Sequence, residues 1–153
     1  MVQRLGDYTD QVAQVPVGTK VKLEGPFGRF DQEVQQTTGP VVLYGLGSGV
    51  APLLSLAQRY QTTKTIHLVW TGPHVDDEYY QHQIEQLRQR GVTVTAQEHR
   101  LSTNDLAQLF TEKEIHQGIV IVVGAASKVI QVERVLRHLG WHRLQIKDER
   151  ITM

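Results

Sequence analysis

A β-branched run passes straight into three glycines, Gly45, Gly47 and Gly49, and then into an amphipathic helical pattern, in the segment VVLYGLGSGVAPLLSLAQRY. Such a turn suits phosphate, because the first amides of a helix have no partner inside it and sit at the positive end of its dipole. On this reading Gly45 bends the chain, Gly47 lets the backbone approach an anion, and Gly49 leaves amides free at the helix start. Ser48 adds a hydroxyl donor, and Pro52 fits a first helical turn because the amide it lacks would be unpaired there. The same geometry also serves a tight strand-to-helix turn that holds nothing.

The spacing narrows the chemistry. The common dinucleotide fingerprint has glycines at relative positions one, three and six, whereas here they stand at one, three and five, with Val50 at the sixth. It also has an acid about 20 residues on, where this chain has Trp70, Thr71 and Gly72. The Gly-Lys-Ser/Thr end of a nucleoside-triphosphate loop is missing, and so is the Thr/Ser-rich loop of a flavodoxin-like carrier. His138 and His142, on either side of Gly140, lack the HExxH arrangement and read as surface histidines, so no metal is expected. Asp76, Asp77 and Glu78 read as a solvated helix start; Arg100 is a lone candidate for a 2′-phosphate; Glu149 by position is an exposed terminal charge.

The elements that must position the turn follow from periodicity. Five short apolar runs, Val41 to Tyr44, Ile66 to Trp70, Val92 to Ala96, Ile119 to Val123 and Leu144 to Lys147, read as strands buried on both faces. Between them lie helical stripes. Tyr80, Ile84 and Leu87 form one, ended by Gly91; Leu106, Leu109 and Phe110 form another, opened by Ser102 with Asp105; Val129, Val132, Leu136 and Leu139 form the last, ended by Gly140. Strands alternating with helices predict an α/β fold, a doubly wound, Rossmann-like five-stranded parallel sheet. Residues 1–38 differ, being broken by Gly6, Pro16, Gly18, Gly25, Pro26 and Gly28, with one expected strand at Lys20 to Glu24.

Sixteen basic residues balance sixteen acidic ones over 153 residues, so there is no long-range positive field, and no nucleic-acid or anionic-membrane partner is expected. The absence of cysteine excludes disulfides, thiolate metal sites and a cysteine nucleophile, and suits a cytoplasmic location. The apolar runs fall far short of the roughly 20 residues a membrane helix needs, and residues 1–15 carry no signal-peptide pattern.

Two segments together resemble one family. Gly45-Leu-Gly-Ser-Gly-Val-Ala-Pro52 is similar to the pyrophosphate turn of the ferredoxin-NADP reductase superfamily, and GPFGRF at 25–30 resembles the segment closing its flavin domain. Val123-Gly124-Ala125-Ala126 stands where that family has Cys-Gly-Pro-x beside the nicotinamide, and Asp148-Glu-Arg-Ile151 resembles its terminal Glu-x-Phe. The resemblance implies an NAD(P)-binding domain over residues 39–153, preceded by residues 1–38 as the last part of a flavin-binding β-barrel plus connector. It implies NAD(P)H held by Gly45, Gly47, Ser48, Gly49, Ala51, Pro52, Thr71, Gly72, Gly124 and Ala125, with Glu149 near the carboxamide as the catalytic candidate. Thr9 matches a residue near the pyrophosphate of FAD, which the complete protein would carry. Hydride would pass from nicotinamide to flavin, and the isolated chain would turn over little.

GDYT, GPFGRF and the RLST segment look most like bacterial ferric-reductase-like proteins. That implies a flavin domain of the same polypeptide as partner, a membrane haem domain beyond it, and a place at the cytoplasmic face of a membrane. Val123 for cysteine and Ile151 for the aromatic depart from the family pattern. They leave open a second expectation, a non-catalytic dinucleotide-binding or sensing module.

Overall fold

The computed structural model describes residues 11–22 and 29–151. Five strands, β1 (Val41–Leu46), β2 (Ile66–Thr71), β3 (Thr93–Gln97), β4 (Ile119–Ala125) and β5 (Ile146–Ile151), form one parallel sheet in the order β3-β2-β1-β4-β5. Six α-helices lie among the described residues: α1 (Phe30–Gln36), α2 (Val50–Tyr60), α3 (Glu78–Gln89), α4 (Thr103–Leu109), α5 (Glu112–Gln117) and α6 (Ala126–His138). The doubly wound α/β expectation is borne out.

Alternation along the strands divides the core in two. Leu43, Leu68, Trp70 and Ile121 point to one face and meet Val34, Leu53, Ala57, Ile84 and Leu87 of α1, α2 and α3. Val42, Tyr44, Val69, Val120 and Val122 point to the other and meet Leu106, Phe110, Val129, Leu136 and Trp141. Because β1 sends its chain to one face and β4, its neighbour, to the other, a crevice opens between their carboxyl ends.

Several expectations need correction. β3 and β5 are edge strands, so they are partly exposed rather than buried on both faces. The last strand begins at Ile146; Leu144 falls in a 3-10 turn (Arg143–Gln145) and is 74% exposed. The helix opened by Ser102 stops at Leu109, because Phe110 turns to extended backbone (ψ 136°) and buries its ring against Trp141. A second helix, α5, then starts on the Thr111/Glu114 capping box. Lys20 to Lys22 join no strand, and the rest of that expected strand lies outside the described residues. Val34 of α1 sits in the core, and Asp31 accepts from Tyr60 Oη at 2.7 Å, so this helix is tied to α2.

One buried polar cluster interrupts the second core face. His67 Nδ1 lies 2.9 Å from Glu114 Oε1 and its Nε2 lies 3.2 Å from Thr95 Oγ1, linking β2 and β3 to α5. Glu114 also accepts from the Thr111 amide and hydroxyl through Oε2.

Candidate functional site

At the carboxyl end of β1 the chain makes one 3-10 turn, Gly47–Gly49, and enters α2. Of the three glycines only Gly47 has positive φ (+62°), and a Cβ built there meets nothing within 4 Å, so its outer side is open. Gly45 and Gly49 are glycines for a different reason from the one expected. Gly45 is a residue of β1, where a Cβ would lie 2.7 Å from Val50 Cα; at Gly49 a Cβ would lie 2.1 Å from the Val123 carbonyl oxygen. The first lets α2 pack down on its own strand, and the second lets the turn press against β4. Gly72 and Gly124 continue this close packing, since their Cβ atoms would lie 2.8 Å from Gly47 Cα and 2.6 Å from Leu46 Cβ.

Sequence reasoning missed Trp70, which lies beside Gly45 in the β1–β2 register and is fully buried. Its indole Nε1–H donates to the Gly47 carbonyl at 3.0 Å, and its ring stands edge-on to Tyr80 with centroids 5.0 Å apart.

Two helices begin at the crevice. Neither α2 nor α6 has a side-chain cap, and neither has an acidic residue in its first turn. The other four described helices all carry one: Asp31 and Glu33 in α1, Glu78 in α3, Asp105 in α4, Glu112 and Glu114 in α5. An acid near a helix N-terminus is favourable by about 0.3–1 kcal/mol, so the positive ends of these two helices are not offset by a carboxylate of their own first turn. The first turn of α6 instead holds Lys128.

On the α4/α6 side the crevice deepens into a cavity of about 390 Å³, lined by Tyr44, Leu46, Arg100, Ser102, Thr103 and Lys128 among others. Arg100 NH1 donates to Gln131 Oε1 at 3.1 Å, at the cavity wall. Burial pushes the Tyr44 phenol up, opposed by the Thr71 hydroxyl and the Arg100 charge. Thr71 Oγ1, at the carboxyl end of β2, is buried without a hydrogen bond of proper geometry. The walls are thus cationic and hydroxyl-bearing.

The structure therefore brings Gly47, Ser48, Thr71, Gly72, Gly124 and Ala125 to one end of the sheet, with Ala51 and Pro52 in the first turn of α2. Gly45 and Gly49 support the turn from below, Gly49 being buried. Glu149 is exposed on β5 and pairs in register with Val123, which is 1% exposed. Asp77 meets His74 (Nδ1–Oδ2 3.0 Å) just outside α3, and His74 has φ +74°. Thr9, Gly25 and Gly28 lie outside the described residues. Lys128 and the Trp70 indole left a signal that could have been read: a basic first turn without acid, and a large aromatic level with the glycines.

No protein-family model matches the sequence, and no curated protein matches it. Solved structures match in fold. The CS-b5R domains of human Ncb5or in the NAD+ form align over 96% of this chain and 46% of that one, with TM-score 0.74 and 18% identity. The flavohemoglobin from Malassezia yamatoensis with bound FAD and heme aligns over 88% and 39%, with TM-score 0.71 and 15% identity. The flavohem-like FAD/NAD-binding domain of nitric oxide dioxygenase from Vibrio cholerae O1 biovar El Tor aligns over 76% and 52%, with TM-score 0.64 and 19% identity. The chain spans about half or less of each, and it shares its fold with the part of each structure that it aligns to.

Proposed function

We propose that this chain is the NAD(P)H-binding domain of a flavin-dependent oxidoreductase, delivering hydride from nicotinamide to a flavin held mainly by a domain outside it. The observation that carries this reading is the pair of uncapped, acid-free helix starts, α2 and α6, converging on one crevice at the switch point of the sheet. The fold neighbours add support, being named as FAD/NAD-binding domains or as structures with bound FAD or NAD+.

The residues fit a dinucleotide. Amides of the Gly47–Gly49 turn and the first turn of α2 would hold the diphosphate, with the open side of Gly47 leaving room for close approach. Arg100, Ser102, Thr103 and Lys128 would hold the adenosine half in the cavity. Gly124 and Ala125, before α6, would orient the nicotinamide half, with Glu149 one strand away. The bound nicotinamide supplies the hydride; the chain supplies orientation.

Residues 1–38 are read as the end of a flavin barrel plus a connector, the connector including α1, whose Val34 packs into the core of the sheet domain. Val15, Val17 and Val21 are 49%, 107% and 69% exposed, an apolar series that a packed neighbour would cover. The finer reading is a ferric-reductase-like electron chain with a membrane haem domain as the next carrier, placing the domain at the cytoplasmic face of a membrane. The buried, unreactive Val123 at the nicotinamide end favours one alternative, a dinucleotide-binding module without turnover.

Calorimetric titration with NADH and NADPH tests binding. Gly47→Val is expected to weaken either coenzyme by at least about tenfold, because its side chain fills the open side of the turn. The positive φ adds a stability cost of about 1–3 kcal/mol, measured separately by denaturation. Lys128→Glu is expected to weaken binding about fivefold to tenfold by placing an acid in the first turn of α6. Unchanged affinity in both variants overturns the site. Stopped-flow absorbance on the complete polypeptide tests turnover: loss of flavin colour on adding NADH or NADPH is expected, and binding without it leaves only the sensing module.

A further inference from the structure

Gly47 takes φ +62°, where a residue without Cβ lets the following peptide turn over at little cost. In one orientation the peptide between residues 47 and 48 offers the crevice an N–H; in the other it offers a carbonyl oxygen, which repels an anion. The structure shows which is held. The Gly47 carbonyl accepts two donors, the Val50 N–H of the 3-10 turn and the Trp70 indole N–H at 3.0 Å. Both of its lone pairs are engaged on the protein side. In a trans peptide the C=O and the next N–H point in opposite directions, so the Ser48 amide points away from the Val50 and Trp70 donors, and Ser48 itself is exposed.

The Val50 bond alone is local and belongs to a single short turn. The Trp70 bond comes from β2, 23 residues away in sequence, and from a ring that cannot move: it is fully buried and packed edge-on against Tyr80. Gly72, next but one in the chain, presses on the turn from the same strand end, since a Cβ there would lie 2.8 Å from Gly47 Cα.

We infer that Trp70 is a positioning residue for diphosphate: its indole locks the Gly47 carbonyl inward and so presets the Ser48 amide as an anion donor. The inference rests on the dinucleotide reading above and adds to it the element that selects the binding orientation of the turn. The preset matters because an amide already aimed at its ligand loses no freedom on binding.

The test titrates the full chain and its Trp70→Phe variant with ADP and with adenosine. Phenylalanine keeps an aromatic ring in the core and deletes the donor. ADP affinity is expected to fall about fivefold to tenfold, the worth of one hydrogen bond, while adenosine affinity stays within about twofold. A merely structural role would lower both affinities together, leave their ratio unchanged and overturn the inference. If the variant fails to fold, the wild-type indole N–H is followed by nitrogen-15 NMR. Slow exchange with solvent and a shift on adding ADP, with none on adding adenosine, support the lock; a fast-exchanging indole indifferent to ADP overturns it. Wild-type protein that binds no ADP overturns the dinucleotide reading itself, whereas wild-type binding with an unaltered ADP-to-adenosine ratio in the variant overturns only the role of Trp70.

Discussion

Gly49→Ala is expected to lower the unfolding free energy by about 3 kcal/mol or more, the upper end of the cost of overpacking a well-filled interior. The methyl carbon would lie 2.1 Å from the Val123 carbonyl oxygen and 2.6 Å from its carbon, and both are main-chain atoms of a central strand. Neither side can swing aside as a flexible side chain would. Relief requires α2 to lift from β1 or β4 to shift in a sheet paired on both sides, where Val41 to Gly45 match Ile119 to Val123. For a domain of this size the loss corresponds to a melting temperature lower by roughly 6–12 °C. Gly91→Ala is the control. Unlike Gly49 (φ −60°), it has positive φ (+88°), but its Cβ meets nothing within 4 Å, so only backbone strain of about 1 kcal/mol is expected. Equal melting temperatures for the two variants would show that contact between the turn and β4 is not what makes residue 49 a glycine.

Glu114→Leu is expected to cost about 3 kcal/mol in urea denaturation. Both partners of the pair are hidden, His67 being 6% exposed and Glu114 8%. Removing the carboxylate strips the cap from the α5 amide at Thr111 and leaves His67 Nδ1 without its acceptor. The double variant His67→Leu with Glu114→Leu is expected to recover part of the loss, because two apolar groups leave no orphan behind. The pair also predicts an acid limb. Burial works to raise Glu114, but hydrogen bonds from His67 and Thr111 outweigh it and hold the carboxyl below its usual range. A carboxylate whose pKa is lower folded than unfolded stabilises the protein above the unfolded value, near 4.3, and loses that contribution as the pH falls through the folded value. The stability gap between wild type and Glu114→Gln is therefore expected to narrow below about pH 4. A gap unchanged down to pH 3 would contradict this.

Much of the fold was legible because it is written in local periods. Buried central strands are continuous apolar runs, and β1, β2 and β4 begin at Val41, Ile66 and Ile119 as their sequence indicates. The Ser102/Asp105 capping box is legible for the same reason, since both of its hydrogen bonds span three residues. The Thr111/Glu114 box has the identical pattern, yet it was masked by Leu109 and Phe110, whose apolar side chains read as the end of a continuing helix. Edge position is not local at all: nothing in Thr93–Gln97 says that no sixth strand among the described residues pairs with it.

The glycine turn divides in the same way. Sequence alone determined that an anion-compatible turn follows the first strand, that no acid stands at the second strand's end, and that the chain alternates strands with helices. Those properties depend on residue type and spacing within one or two elements. Only the tertiary structure decided why each glycine is there, because Gly45 answers to Val50, Gly49 to Val123 and Gly124 to Leu46, across elements the sequence keeps apart. It also decided which two helix starts, out of the six among the described residues, share a crevice, and that an indole from β2 holds the turn's carbonyl inward. Close backbone approach and hydrogen bonds between strands are set by sheet order, and that order emerges only when the two apolar faces are packed at once.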